Sequence, residues 1–257
     1  FLSYGGVLDV VRCATSGQLT ASDDSTTSPY LLSITTKEVY EATYFTATAN
    51  PFKWAARDVG SEANALKVAV IDKGADVQLT LDGPLAVSAV GTQVQNTGGT
   101  KSGYIYAWDA TTNKVSLITS DTWDTTDDVE NGVTDRNVTL VSDWYDNQVV
   151  YTGLPWSSIG PRPGTSPYVA ARGGANDEMH VVVYDSTGEI TGTPNTLVEK
   201  HTYLSKANNA RTSQGAGSYY PQAILDKSSF IYWGSHETDV YDVSANQGVS
   251  GGNIAGT

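Results

Sequence analysis

A run of β-branched and aromatic residues, followed at once by turn residues, constrains the fold of this chain more than any other segment. Residues 179–184 read MHVVVY, a composition typical of a strand. Residues 185–188 (DSTG) have turn chemistry, because Asp can cap its own backbone and Gly accepts a positive φ. Residues 196–204 (TLVEKHTYL) then have the character of a second strand. The segment therefore predicts two strands joined by a short loop.

The overall composition also favours strands and turns over helices. The 257 residues include 25 Gly and 15 Tyr, against a single Met and a single Cys, and Thr, Ser and Val recur throughout. The length suffices for one large domain or two modest ones. We therefore expect an α+β, β-dominated fold with mixed or antiparallel sheets and a few short helices.

Charge and hydropathy exclude several classes of partner. The formal net charge is −13, from 28 acidic and 15 basic residues, whereas nucleic-acid binding requires clustered Lys and Arg. We expect no nucleic-acid partner, and we interpret the acidity as a solubilising surface. No apolar run approaches the roughly 20 residues of a membrane helix, so membrane insertion is not expected either. The lone Cys13 excludes an intrachain disulfide, and it follows the apolar strand-like run at residues 7–11.

Several other segments have a local sequence pattern that predicts their secondary structure. The alternation in residues 66–72 predicts a half-buried strand. Residues 104–109 and 114–118 flank a short polar turn and predict a hairpin. Residues 219–228 predict a short helix with Pro221 in its first turn, and residues 229–233 predict a strand.

Other segments are less clear. Residues 37–47 fit a short helix that turns Val39 and Ala42 inward, with Tyr40 and Phe45 as further candidates, but they fit a strand equally well. Residues 14–37 predict an exposed loop with one short strand near residues 30–34. Residues 121–132 predict an acidic loop, and residues 138–151 either a strand pair or an irregular region.

Four phrases in the second half of the chain recur in the same order in one known family. They are PGTS at 163–166, NDEMHVVV at 176–183, D-x-x-G-x-I-T-G at 185–192 and LVEKHTYLS at 197–205. In this order they resemble the contractile tail sheath protein of myovirus-type, cyanophage-like bacteriophages. A tyrosine pair, a short helix and an aromatic strand ending in Trp-Gly, at residues 219–234, extend the resemblance.

The first third of the chain carries weaker signs of the same resemblance. The phrases FLSYGG and VVR, within residues 1–12, are similar to the family's exit from its core domain. A further phrase of the family corresponds to residues 56–68. In this chain Val59 stands where proline is usual in the family, and Glu62-Ala63 stand where Trp-Gly is common. The phrase is otherwise kept at Ala56, Arg57, Gly60, Asn64, Leu66 and Val68.

The resemblance covers residues 1–13, about 39–83, and 162–252, and it implies a domain organisation. Residues 1–13 are the end of a connection from the core domain, and 14–240 are the outer sheath domain. A divergent β-rich insertion occupies about 84–160, and 241–257 begin the connection back to the core domain. Because the chain begins at Phe1 and stops at Thr257 without a terminating element, we interpret it as an excerpt.

The resemblance also implies a mechanical function. Subunits of this family form stacked hexameric rings around a tail tube, and contraction drives the tube through the host envelope. The expected partners are other copies of the chain, the tail tube protein through parts outside this chain, and the baseplate and tail terminator proteins. The expected location is the virion tail, after assembly in the host cytoplasm. The resemblance implies no enzymatic activity and no cofactor, metal or catalytic residue.

Candidate catalytic and metal-binding residues are few. His180 and His201 lie on strands that can pair, but no third ligand appears at a fixed spacing from them. The acidic residues of 121–132 do not match the twelve-residue calcium loop. Asp109 and Asp121 are a formal acid/base pair for glycoside hydrolysis whose separation the sequence does not give. Residues 235–237 place Ser, His and Glu side by side, which argues against a triad because triad members converge from distant positions.

Four tryptophans offer an alternative function. Aromatic side chains on a β scaffold can stack on sugars, and a β-rich carbohydrate-binding or glycan-cleaving domain is the second hypothesis. Buried core or interface positions are the more ordinary role of such residues. The four are Trp108, Trp123, Trp144 and Trp156.

Overall fold

The computed structural model describes residues 19–22, 31–47, 50–150 and 153–236. Over these residues the chain is rich in strands and has only short helices, so the expected α+β, β-dominated class is confirmed. Every pairing between two named strands is antiparallel, which decides between the two sheet types left open by the sequence. The strand-like run at residues 7–11 and Cys13 lie outside the described residues.

The strands form a four-stranded sheet, a closed barrel and a three-stranded sheet. In chain order they are Thr20–Ser22 (β1), Leu31–Leu32 (β2), Trp54–Val59 (β3), Leu66–Asp72 (β4), Val77–Leu81 (β5), Gln93–Gln95 (β6), Ser102–Asp109 (β7), Lys114–Ile118 (β8), Asp128–Glu130 (β9), Asp135–Asp143 (β10), Glu178–Asp185 (β11), Thr196–Ser205 (β12) and Ile231–Trp233 (β13).

The helices are short and lie at the ends of strands. The α-helices are Lys37–Tyr40 (α1), Pro167–Ala170 (α2) and Tyr220–Lys227 (α3). A π-helical turn, Glu41–Phe45, continues α1, and the 3-10 helices are Ser61–Ala65, Tyr145–Asn147 and Trp156–Ser158.

Strand β11 is the middle strand of the three-stranded sheet, between β12 and β4. Its side chains alternate between the two faces of the sheet. Met179, Val181 and Val183 pack into one apolar cluster. Val182 and Tyr184 pack into a second cluster on the other face. Because both faces are covered, β11 needs a continuous apolar run, and this is the pattern that the sequence shows.

The first cluster is closed by α3 and by the four-stranded sheet, whose order is β13-β3-β1-β2. Helix α3 contributes Tyr220, Ala223 and Ile224 to this cluster, and the sheet contributes Trp54 and Trp233. The predicted helix at 219–228 and strand at 229–233 are confirmed as α3 and β13, and Pro is in the first turn of α3.

The barrel is built from six strands in the closed order β10-β5-β8-β7-β6-β9. The predicted hairpin is confirmed as β7 and β8, which pair across a turn where Asn113 has a φ of 52°. Closure leaves none of these strands with a free edge. The interior is filled by Leu79, Leu81, Leu85, Val94, Ile105, Val115, Leu117, Trp123, Val129 and Val138.

The barrel is inserted between β4 and β11, which are neighbours in the three-stranded sheet. It packs on the second face of that sheet through an aromatic junction made of Tyr106, Trp144, Tyr145 and Trp156. The rings of Tyr106 and Trp144 meet edge to face, with centroids 5.2 Å apart. One shared cluster therefore joins barrel and sheet.

Residues 37–47 adopt the helical alternative, as α1 and the π turn. Val39 is partly buried as expected, but the expectation that Ala42 faces inward is wrong, because Ala42 is exposed. The π turn adds a residue per turn and shifts the buried face. The buried side chain is Tyr40, whose hydroxyl donates to the Trp233 carbonyl at 2.5 Å.

Three further loop expectations are corrected. In 14–37, β2 matches the expected strand, but Thr20 and Ile34 are fully buried, and the Thr20 hydroxyl donates to the Ile34 carbonyl at 2.8 Å. The acidic loop contains β9, because Val129 fills the barrel interior. Residues 138–151 hold no strand pair among those described, since β10 begins at Asp135 and a 3-10 helix follows it.

The junction predicts an asymmetry between two glycine substitutions. Gly74 has a φ of 57° and a Cβ there would overlap the Trp144 ring, whereas Gly98 has a φ of 93° and open space around it. Both Gly74→Ala and Gly98→Ala strain the backbone, but Gly74→Ala also overpacks the junction. We expect Gly74→Ala to lower the free energy of unfolding by about 1–3 kcal/mol more than Gly98→Ala, measured by urea titration. Equal losses would contradict this account of the junction.

Candidate functional site

The two strand histidines do not converge on a common ligand position. His201 is paired with Val181, so it lies on the face of the sheet opposite to His180. His180 is fully buried, and its Nδ1 accepts the Tyr203 backbone N–H at 3.1 Å while its Nε2 lies 2.8 Å from the Pro161 carbonyl. These bonds assign a neutral ring with its proton on Nε2. His201 contacts Glu199 instead, at 3.1 Å.

His180 supports an irregular point in the edge strand β12. Tyr203 has a φ of 56°, which is uncommon for a bulky residue, and the pairing register of β11 and β12 shifts beside it. The Tyr203 N–H is held by His180, and the two rings meet edge to face with centroids 4.7 Å apart. The role of His180 is therefore to fix the shape of a strand edge.

The acidic residues of 121–132 cap the local backbone. Asp121 accepts the Ser102 N–H at 2.8 Å. Asp127 accepts the Asp124 N–H at 2.7 Å and pairs with the Lys101 ammonium at 2.6 Å. Over the described ranges, no group of three or more His, Cys, Asp or Glu side chains could hold a metal ion.

The two remaining catalytic candidates are also engaged in local structure. The Thr112 hydroxyl and the Thr111 N–H donate to Asp109 and lower the pKa of its carboxyl, whereas a general acid needs a raised pKa. The Ser235 hydroxyl donates to the Phe52 carbonyl at 2.9 Å. Of the neighbouring pair at 236–237, His236 contacts the hydroxyl of Tyr220, the first residue of α3, and Glu237 lies outside the described residues.

The tryptophans serve as core residues rather than as an exposed platform. Trp123 fills the barrel, and Trp144 and Trp156 belong to the aromatic junction. Their exposed fractions are 4%, 7% and 4%, so their ring faces are not open to a ligand. Trp108 is partly buried and packs against the barrel interior.

The side chain of Asp177 is the centre of a buried polar network that the sequence did not single out. It is fully buried, and it accepts the Ser166 N–H at 2.7 Å and the Ser166 hydroxyl at 2.8 Å. It also accepts the hydroxyl of Ser205. Its own carbonyl accepts the Lys206 N–H at 2.7 Å. One carboxylate thus ties the start of β11 to the end of β12 and to the N-cap of α2.

A buried ion pair lies beside this network. The Lys206 ammonium is 2.9 Å from the Asp72 carboxylate, and the side chains are 4% and 7% exposed. Asp72 ends β4, and Lys206 follows β12 directly. The pair therefore links the two outer strands of the sheet across the end of β11. A buried pair of this kind fixes geometry more than it adds stability.

At the other end of β11, a single aspartate orders the loop to β12. Asp185 is fully buried and accepts the backbone N–H groups of Gly188, Ile190 and Thr191 at 2.7–3.0 Å. Gly188 has a φ of 85°. The turn expected from Asp and Gly is confirmed, and the loop is fixed by more bonds than the sequence indicated.

Helix α3 is held by charged side chains from two strands. Arg57 of β3 donates to the carbonyls of Ile224 and Leu225 at 3.0 and 2.6 Å, near the C-terminus of the helix. Glu199 of β12 accepts the Ser228 hydroxyl at 2.6 Å, just beyond that end. The arrangement is chemically suited to rigidity, because each polar group is engaged within the fold.

Comparison of the chain with protein families, curated proteins and solved structures finds no match. Among the residues that the structure describes, no helix combines the length and apolar character needed to cross a membrane.

The Asp177 network predicts a large effect from one substitution. Asp177→Ala leaves three donors without their acceptor in a buried site, so we expect a loss of about 3 kcal/mol or more in the free energy of unfolding. Asp177→Asn should cost less, because the serine hydroxyls can turn and accept from the amide. Asp226→Ala is the matched control, since Asp226 is exposed and should stay within about 0.5 kcal/mol of wild type. Similar values for Asp177→Ala and Asp226→Ala in urea titrations would contradict the role of the network.

Proposed function

We propose that this chain is the outer portion of a contractile tail sheath subunit. The observation that carries the proposal is that the residues of the family-like phrases are bonded to one another. Asp177 of NDEMHVVV binds Ser166 of PGTS and Ser205 of LVEKHTYLS. Three of the four phrases are thus connected through one buried carboxylate, and the fourth begins at Asp185, the last residue of β11.

The phrase in the first third of the chain joins the same scaffold. Its Arg57 bonds to carbonyls of α3, and its Leu66 and Val68 lie on β4 and pack into the first cluster. Gly60, which the phrase keeps, has a φ of 126°, a conformation that other residues rarely adopt. The residues that carry the resemblance in this phrase therefore also have defined structural roles in the scaffold, which supports the proposal.

A rigid scaffold suits a sleeve that works by rearranging contacts between identical copies. Residues 73–143, which include the barrel, contain 10 acidic and 4 basic residues, whereas 153–236 contain 6 of each. The acidic excess on the inserted barrel suits an outward position on a polymer, because like charges keep particles apart. The proposal includes stacked hexameric rings, contact with the tail tube through other parts of the protein, contacts with the baseplate and tail terminator proteins, and a place in the virion tail.

Assembly of the full-length protein tests this proposal. At micromolar concentration we expect stacked hexameric rings or tubes in electron micrographs and a correspondingly fast boundary in sedimentation velocity. The 257-residue chain alone is the control; we expect it to remain monomeric, because the proposed polymer contacts lie mainly in the core domain and arms. A full-length protein that stays a monodisperse monomer under all conditions that support phage assembly would contradict the proposal.

A further inference from the structure

The buried pair of Lys206 and Asp72 brings an amine and a carboxyl group into contact at one end of the three-stranded sheet. Nζ of Lys206 lies 2.9 Å from Oδ2 of Asp72, and the two side chains are 4% and 7% exposed. The residues are 134 positions apart in the chain. Their neighbours in the chain or across the strand register are buried as well, namely Ile71, Met179 and Ala207. Distant parts of the chain thus meet at a place that largely excludes water.

The ion pair leaves this site with more donors than acceptors. An ammonium has three donors, and within the described part of the chain it is Asp72 that accepts from Lys206. The other oxygen of Asp72, Oδ1, accepts the Gly74 backbone N–H at 3.1 Å. An amide between the two side chains has one N–H, one carbonyl oxygen and no charge. Because burial penalises both charges and unpaired donors, the amide suits this site better than the ion pair.

We propose that Lys206 and Asp72 condense to a side-chain amide bond in the folded protein. A proton passes from Nζ to Oδ2, which gives a neutral amine and a carboxylic acid. The Nζ lone pair attacks Cγ, and the Nζ–Cγ bond forms. A second proton moves from Nζ to Oδ2, the Cγ–Oδ2 bond breaks, and Oδ2 leaves as water. The Gly74 N–H donates to Oδ1, where negative charge develops during the attack.

Two features of the site favour this reaction. The fold holds the two groups in contact, which raises their effective concentration far above that of free reactants in solution. The released water leaves a buried site, and hydrolysis of the amide requires water to return to it. The reaction uses no oxidant, reductant or cofactor.

The bond closes residues 72–206 into a covalent ring that contains the barrel, β11 and β12. Asp72 ends β4 and Lys206 follows β12, so the two outer strands of the sheet stay linked at that end. The unfolded chain also keeps this closed loop, which restricts its conformational freedom. The inference goes beyond the proposed function and does not depend on it.

Mass spectrometry of the folded 257-residue chain tests the bond directly. After incubation at neutral pH, we expect an intact mass that is lower than the sequence mass by one water molecule. We expect a tryptic digest to give one linked peptide that contains both Asp72 and Lys206. An intact mass equal to the sequence mass overturns the proposal. Loss of water through a cyclic imide at Asp72 also overturns it, because that product links no second peptide.

Two lysine variants separate this bond from other losses of water. Lys206→Met removes the nucleophile, so the intact mass should equal the sequence mass of the variant. Lys73→Met is the matched control, because Lys73 lies 2.7 Å from Asp76 in a pair whose side chains are 23% and 26% exposed. We expect Lys73→Met to keep the loss of one water. A loss that persists in Lys206→Met, or that disappears in Lys73→Met, contradicts the proposal. The wild-type digest decides the matter even where Lys206→Met does not fold.

Discussion

The burial of β11 on both faces is the constraint on which the rest of the structure depends. Val181 and Val183 belong to one apolar cluster and Val182 belongs to the other. One strand therefore contributes side chains to two cores. Its backbone groups pair with strands on both sides. The helix and small sheet on one face and the barrel on the other are thereby tied to a single element. Displacing β11 would expose both clusters at once.

Buried polar groups fix the two ends of β11. Asp177 and the Lys206–Asp72 pair close one end, and Asp185 closes the other. Each carboxylate accepts several hydrogen bonds or pairs with a cation. At each end of β11, therefore, one arrangement satisfies the buried polar groups, and the alternatives leave some of them without partners. This gives a unit with one defined shape, which suits the sleeve subunit that we propose. These carboxylates therefore serve to fix the local structure at the two ends of β11.

The sequence predicted the parts of the fold whose pattern is local. Strand β11, strand β4, the hairpin of β7 and β8, and helix α3 each have a continuous run of suitable residues. The barrel was not predicted, because closure depends on distant pairings and because β9 presents only Val129 as an apolar signal between two acids. The Asp177 network was missed for a similar reason, since its serine partners are 11 and 28 residues away. The π turn after Tyr40 moved Ala42 to the surface by a shift that periodicity does not reveal.

The claim that β11 belongs to both cores can be tested most directly by native-state hydrogen exchange of the Val181, Val182 and Val183 amides. If β11 joins both cores, these amides exchange only through global unfolding, and their opening free energies equal the value from denaturant titration. Amides on the barrel strands and on α3 then open at or below that value. Exchange of the three valine amides through a smaller, local opening, with either core still protected, would contradict the account.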